Sequence, residues 1–279
     1  MRMMFLGDVV GRSGRDAALA ALPDLVRSNA ADFIVVNAEN AAGGYGLTPE
    51  IADQLFAAGA DVITTGNHVW DQKSIIGHID RDPRILRPIN FPVGTPGRGA
   101  HLYVARNGAK IYVLNVMGRL FMDALDDPFA ACDRELSKHR LGQTADAILI
   151  DVHAEASSEK MALAHHCDGR VSFVVGTHTH IPTADAQILP GGTAYQTDAG
   201  MCGDYDSVIG MKKQISVQKF IRKMPGEKNT PAEGPGTVCG VSVDVDPGTG
   251  LATLIRPFRI GGRLAEALPP AAPGLKAVA

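Results

Sequence analysis

Short apolar runs recur along the chain, and most are apolar on both faces rather than on alternate residues. They fall at 3–6 (MMFL), 33–36 (FIVV), 61–64 (DVIT), 110–117 (KIYVLNVM), 147–152 (AILIDV) and 171–175 (VSFVV). Their length and Val/Ile content predict strands, and two apolar faces predict strands covered on both sides. Helical patterns lie between them. "GRDAALAALPDLVRSN" (14–29) follows Ser13, a cap candidate; "TPEIADQLFAAG" (48–59) opens on Thr48 as cap and Pro49 in the first turn, with Gly59 past the end. Residues 127–140 and 157–169 also read as helices. Strand–helix alternation predicts an α/β layered fold. The last third changes character: 192–200, 237–250 and 251–260 read as strands joined by turns, with a hairpin signal at 246–250. No internal repeat and no linker divides the chain, so residues 1–267 are expected to form one domain. The polar Pro/Gly-rich stretch 223–236 reads as a lid or a disordered excursion, and 268–279 as a frayed tail.

A chain of 279 residues can bury a full core without staples. Its net charge of −3 argues against gripping long nucleic acid through a general basic surface, yet a small anion could still be held locally. Cys132, Cys167, Cys202 and Cys239 are far apart and form no C-x-x-C pair, which predicts reduced thiols rather than a disulfide framework or a cysteine-zinc site. The opening apolar run meets Asp8 before it could serve as a signal segment, and no run is long enough to span a bilayer. A soluble, cytoplasmic protein with no membrane partner is expected.

Ligands of an open α/β sheet collect beyond the carboxyl ends of its strands. Just past the predicted strands stand Asp8, then Glu39 and Asn40, then Asn67 and His68, then His153, then His178 and His180. Singly, each has an ordinary reading. Asp or Asn after a strand is usually a turn or cap residue. His165 and His166 suit a helix C-terminus, and with His78, His101 and His139 they are given no role. Recurrence at five strand ends points instead to a metal site. Nitrogen and oxygen donors without thiolate suit iron, manganese or zinc better than copper(I) or calcium. Seven donors (Asp8, Glu39, Asn40, Asn67, His153, His178 and His180) exceed what one ion with an open position takes, but they fit two ions bridged by Glu39. Two carboxylates against two divalent ions leave a net positive site, which favours a phosphate substrate and a metal-bridging hydroxide as nucleophile. Three features stay open. Arg12 is a phosphate contact or a surface charge. Tyr45 stacks on a base or packs locally. The segment 196–210, with Asp198, Asp204 and Asp206, lines the pocket or merely covers the site, its aspartates lying outside the ligand set.

The blocks "GD" (7–8), "GNH" (66–68), the separate His153 and "GTHTH" (176–180) resemble the calcineurin-like metallophosphoesterase superfamily, with its D-x-H, G-D-x-x-D, G-N-H-[DE], H and G-H-x-H pattern. Two departures stand out: Val10 replaces the first-block His, and "AEN" (38–40) replaces G-D-x-x-D. With those departures, "FLGDVVGRSGR", "NAENAAGGYGLT", "ITTGNHVWD" and "QTDAGMCGDYDSVIGM" are similar to the YmdB-like subfamily of bacterial phosphodiesterases, over nearly the whole chain. The resemblance implies a four-layer α-β-β-α sandwich with a binuclear centre, iron first and manganese or zinc as alternatives. It implies hydrolysis of 2′,3′-cyclic nucleotides at the 2′ ester, and of other small phosphodiesters. By motif, Asp8, Asn40 and His180 would hold one ion, Asn67, His153 and His178 the other, with Glu39 shared, and His68 would protonate the leaving alkoxide. Neighbouring side chains on an extended chain point opposite ways, so His68 can lean over a substrate while Asn67 faces a metal; the other reading is that His68 fixes a ligand. The alternatives are a phosphomonoesterase or nuclease of the same superfamily, or a nucleotide- or RNA-linked regulator with a structural metal site. A homo-oligomer is compatible with either.

Overall fold

The computed structural model describes residues 1–271 apart from 29, 225 and 270. Most of the expected tail therefore lies outside the described residues. All six apolar runs are strands. One six-stranded sheet runs Ala252–Ile260, Val238–Val245, Arg2–Leu6, Phe33–Asn37, Val62–Thr64, Ile85–Leu86 in spatial order. Its last four strands are parallel, while Val238–Val245 is antiparallel to both of its neighbours. A second six-stranded sheet runs Gln187–Ile188, Ala194–Gln196, Phe173–Thr177, Ala147–His153, Lys110–Met117, Ala100–Val104. Its four central strands are parallel and its two edges antiparallel. A short pair, Asp8–Val9 with Met201–Cys202, joins the first strand end to the 196–210 segment.

The two-faced apolar runs have a direct cause. Met3, Phe5, Phe33 and Val35 of the first sheet pack with Ile111, Val113, Leu149 and Phe173 of the second. Their sequence neighbours Met4, Leu6, Ile34 and Val36 face the helices of the N-terminal third. On the second sheet Leu114, Ile148, Ile150 and Val174 face Ala131, Leu163 and Ala164. Each strand is thus apolar on both sides because both sides are covered, and each Leu, Ile or Phe so buried contributes about 1.5–3 kcal/mol relative to exposure. The apolar pattern does not predict the strand Ala100–Val104; it is an edge whose residues are half-buried or exposed, so its signal is weak.

Helix Pro49–Ala58 begins and ends as expected: the Thr48 hydroxyl accepts from the Ile51 N–H, and Gly59 closes it at φ +126°. Helix Pro128–Leu136, capped by Asp127, stops short of residue 140, and Ser157–Cys167 stops short of 169. The first helix, Gly11–Arg27, corrects one expectation. It starts before Ser13, with Val10 at the cap position and no side-chain cap. The Val10 and Gly11 N–H groups donate to the Cys202 and Asn40 carbonyls, so neighbouring loops satisfy them without a capping side chain. Ser13 is buried and donates to the Gly234 carbonyl instead. The helix Lys213–Arg222, which is not among the expected elements, buries only Ser216 and leaves Val217, Phe220 and Ile221 exposed. Within the stretch 223–236, residues 230–234 are tied to neighbouring chain: Lys212 N–H donates to Thr230 O, Ala232 N–H to Gly210 O, and Gly234 N–H to Asp204 Oδ2. The four cysteines are buried and unpaired. Among the described residues no helix is long and apolar enough to cross a membrane.

Candidate metal centre

The strand ends of both sheets meet at one place, and all seven expected donors are there. Asp8, Glu39, Asn40, His153 and His180 are almost completely buried. Glu39, His153 and His178 present ligand atoms within 4.8 Å of one another, and so do Asp8, Glu39 and His180. Glu39 belongs to both groups. Its Oε2 lies 3.2 Å from His153 Nε2, while its Oε1 accepts from the Asn40 amide at 3.0 Å. Asn40 in turn is 3.2 Å from His180 Nε2, and Asn67 Oδ1 is 2.9 Å from His153 Nε2. Asn40 Oδ1 is buried and has no hydrogen-bond partner among the described residues.

Supporting groups fix which nitrogen of each ring faces inward. Thr177 Oγ1 gives its one proton to Asp151 Oδ1 (2.7 Å), so at 2.9 Å it accepts from His153 Nδ1–H. Asp151 is itself fully buried and held by the Asn37 amide at 3.1 Å. His153 Nε2 then points at three acceptor atoms: Asn67 Oδ1 at 2.9 Å, His178 Nδ1 at 3.1 Å and Glu39 Oε2 at 3.2 Å. A proton on Nε2 can serve one of them well; a cation among them serves all. His180 Nδ1–H donates to the Ile209 carbonyl at 2.8 Å, which turns its Nε2 lone pair inward, 3.9 Å from Asp8 Oδ1. These outer partners of ring nitrogens are the kind that orient imidazole ligands.

Charge in the cluster follows the same geometry. Burial works against the Glu39 carboxylate, but His153 beside it holds its pKa well below the usual range. Burial disfavours the His153 imidazolium, yet Glu39 raises its pKa to about 9. Burial and the neighbouring His153 push His178 down to about 3. Burial raises Asp8. The backbone is also unusual here: His178 and His180 have φ of +94° and +68°, a region that side-chain-bearing residues enter rarely. Gly66 leaves room for the cluster, since a Cβ there would lie 2.3 Å from both Glu39 Oε2 and His153 Nε2.

His68 stands apart from the ligand atoms. Its backbone N–H donates to Glu39 Oε2 at 3.3 Å, its Nδ1 lies 2.8 Å from Asp71 Oδ2, and its ring meets the Tyr45 ring edge-on at 5.2 Å. Both rings line a cavity of about 290 Å³ with Glu39, His178, His180 and Asn229. Lys228 Nζ sits 5.0 Å from the Tyr45 ring centre. From the 196–210 segment Ile209 reaches this cavity, as does Met211 just beyond it, whereas Asp198 pairs with Lys160, Asp204 binds backbone and Asp206 pairs with Lys213. Arg12 is exposed and lines a different cavity. Sequence reading misses Asp71, Thr177, Asp151 and Glu155, whose Oε2 lies 3.2 Å from His178 Nε2. An Asp inside an otherwise apolar strand is the available signal for Asp151.

Fold and donor cluster define an α/β protein of the metallophosphoesterase type. Within that class the chain belongs to the YmdB-like protein family, whose model matches residues 4–258. It is 48% identical over 255 residues to the 2′,3′-cyclic-nucleotide 2′-phosphodiesterase of Bacillus subtilis (strain 168), covering 91% of this chain and 95% of that one. A solved structure of a hypothetical protein from Thermus thermophilus superposes with a TM-score of 0.87 at 42% identity, over 93% of this chain and 99% of the other. A structure described as a novel phosphatase from Mycoplasma pneumoniae gives 0.86 at 33% identity, over 93% of each.

Proposed function

We propose that the chain is a metal-dependent phosphodiesterase that opens 2′,3′-cyclic nucleotides at the 2′ ester. It is a phosphoric-ester hydrolase, the class its relatives are named for; the particular ester, the ions and the residue roles are the proposal. One observation carries it. His153 Nε2, its other nitrogen committed to Thr177, faces three acceptor atoms within 3.2 Å in a buried site, an arrangement that asks for a cation. The two oxygens of Glu39 face different partners, which supports two ions: one held by Asn67, His153 and His178, the other by Asp8, Asn40 and His180, with Glu39 between. The nitrogen and oxygen donor set favours iron, with manganese or zinc as alternatives. Three apolar clusters, one between the sheets and one on each outer face, support a four-layer α-β-β-α sandwich forming one domain. Buried, unpaired cysteines favour a reducing compartment such as the cytoplasm.

When bound, two such ions would neutralise phosphoryl oxygens and supply an activated water. The chain's own residues do the rest. Asp71 accepts from His68 Nδ1, which leaves Nε2 as the nitrogen that delivers a proton to the departing 2′ oxygen. Tyr45 and Met211 wall the cavity around the reacting phosphate. Asn229, just before the tied residues 230–234, faces the same space.

The test is turnover of 2′,3′-cyclic AMP by protein purified without oxygen, with metal content measured on the same sample and His178→Ala alongside. The expected result is two equivalents of iron or manganese, 3′-AMP as product, and loss of metal and turnover in the variant. Metal without turnover of the cyclic nucleotide, but with turnover of a phosphomonoester, would move the substrate to the class named for the Mycoplasma structure. Wild-type protein that takes up no metal after reconstitution would end this reading.

A further inference from the structure

The turn carrying His178 and His180 is strained at both histidines, so something must hold it. The holding contacts converge on the residue between them. Thr179 gives both its N–H (3.1 Å) and its hydroxyl (2.6 Å) to one oxygen, Asp198 Oδ2. That oxygen also takes Lys160 Nζ at 2.9 Å, and Oδ1 takes the Gly200 N–H at 2.8 Å. Four donors on two oxygens use the acceptor capacity of an ionised carboxylate, and an amide could not replace it without opposing donor to donor. Asp198 and Lys160 are both fully buried. Two main-chain carbonyl contacts lock Asp198 in turn: its own carbonyl accepts from Thr183 N–H and from the Gln196 amide. The far side of the turn is pinned by the His180 carbonyl, which accepts from Met201 N–H and the Tyr205 hydroxyl. Room for Lys160 comes from Gly176, where a Cβ would lie 2.7 Å from Lys160 Cδ and 1.7 Å from the Thr197 carbonyl.

We infer that the buried Lys160–Asp198 ion pair, acting through Thr179, holds the His178-Thr179-His180 turn in its ligating geometry, making Lys160, Asp198 and Thr179 positioning residues of the metal centre. The inference rests on His178 and His180 being ligands. A buried ion pair is a weak source of stability, because desolvation offsets most of the attraction. Here it supplies what an apolar pair could not, a fixed acceptor for both polar hydrogens of Thr179. Lys160 comes from helix Ser157–Cys167, so the pair also couples that helix to both histidines.

The experiment titrates the full chain, stripped by chelation, with manganese(II), and records the thermal midpoint of the metal-free form of each variant. Thr179→Val and Asp198→Asn should each weaken manganese binding by about 10–100-fold, the range of outer-partner losses at metal sites. Lys160→Met should weaken it in the same direction, while Thr179→Ser, which keeps the hydroxyl, stays near wild type. A folded Thr179→Val protein with wild-type affinity, whatever its midpoint, would overturn the proposal, and so would a Thr179→Ser as weak as Thr179→Val. If Asp198→Asn does not fold, the Thr179 pair decides. His178→Ala separates the two readings. If it binds manganese like wild type, the ligand assignment itself is wrong; if it loses binding while Thr179→Val does not, only the positioning role falls.

Discussion

Gly66→Ala gives the sharpest test of the proposed ion positions. Gly66 lies between the strand Val62–Thr64 and Asn67 and is not in the left-handed region, so alanine fits its backbone. Its Cβ would nevertheless fall 2.3 Å from Glu39 Oε2 and from His153 Nε2, closer than the 3.0 Å that real Cβ atoms keep. Both proposed ligand atoms must retreat by about 0.7 Å to reach that limit, well beyond the ~0.2 Å tolerance of metal–ligand distances. Disturbing two ligands in this way should cost about 100-fold in metal affinity, the upper end of the losses seen at metal sites. In metal-free protein the penalty is ordinary overpacking, about 1–3 kcal/mol. With metal at 100 times the wild-type Kd, the wild type gains about 2.7 kcal/mol on unfolding, whereas a 100-fold weaker variant gains only ~0.4 kcal/mol. Denaturant melts with and without manganese read this difference directly. Gly77→Ala is the control: a Cβ there meets nothing within 4 Å, and the metal-dependent gain should be unchanged. A Gly66→Ala protein that keeps the full gain would refute the placement of ions between Glu39 and His153.

Three further outcomes are expected. Metal-replete His68→Ala should lose about 10²–10⁴-fold in kcat with metal content unchanged, as for a lost general acid; unchanged turnover would remove the role. Manganese affinity should rise about tenfold per pH unit from 7 to 9, because metal must displace the proton that Glu39 holds on His153. The sign is fixed by His153: its folded pKa of about 9 lies above its ordinary 6.5, so the stability it lends the metal-free fold is complete below 6.5 and lost as pH rises through 9, and the ion gains what the proton loses. Affinity flat over that window would contradict it. In a cyclic nucleotide the leaving oxygen stays on the nucleoside, so the base should lie on the His68 side, where Tyr45 stands. Tyr45→Ala should therefore raise KM for 2′,3′-cyclic AMP by about tenfold, a stacking-sized loss, and spare a phosphodiester without a base; equal losses on both would argue that Tyr45 only packs against His68.

Much of this site is legible because a parallel sheet converts sequence order into spatial convergence. Asp8, Asn40, Asn67, His153 and His178 are scattered along the chain, but each stands at or just past the end of a strand, and strands that run the same way deliver their ends to one edge. The helix Lys213–Arg222 is the converse case: Val217, Phe220 and Ile221 stand at i, i+3 and i+4, but all three are exposed, so this apolar stripe faces no core and the helix buries only Ser216. Ser13 misleads because a cap residue is recognised by the helical pattern after it, while the real start is set by carbonyls of Asn40 and Cys202, distant in sequence. The Lys160–Asp198–Thr179 network escapes for a related reason. A lysine in a helix reads as solvated, and its partner lies 38 residues on. One signal does point to it. Gly176 stands inside the fully buried strand Phe173–Thr177, and a glycine inside a strand marks a place where other chain comes close. Here that is the Thr197 carbonyl, next to Asp198, with the Lys160 side chain beside it. The glycine of "GTHTH" thus serves the ion pair behind the turn, while the histidines serve the cavity in front of it.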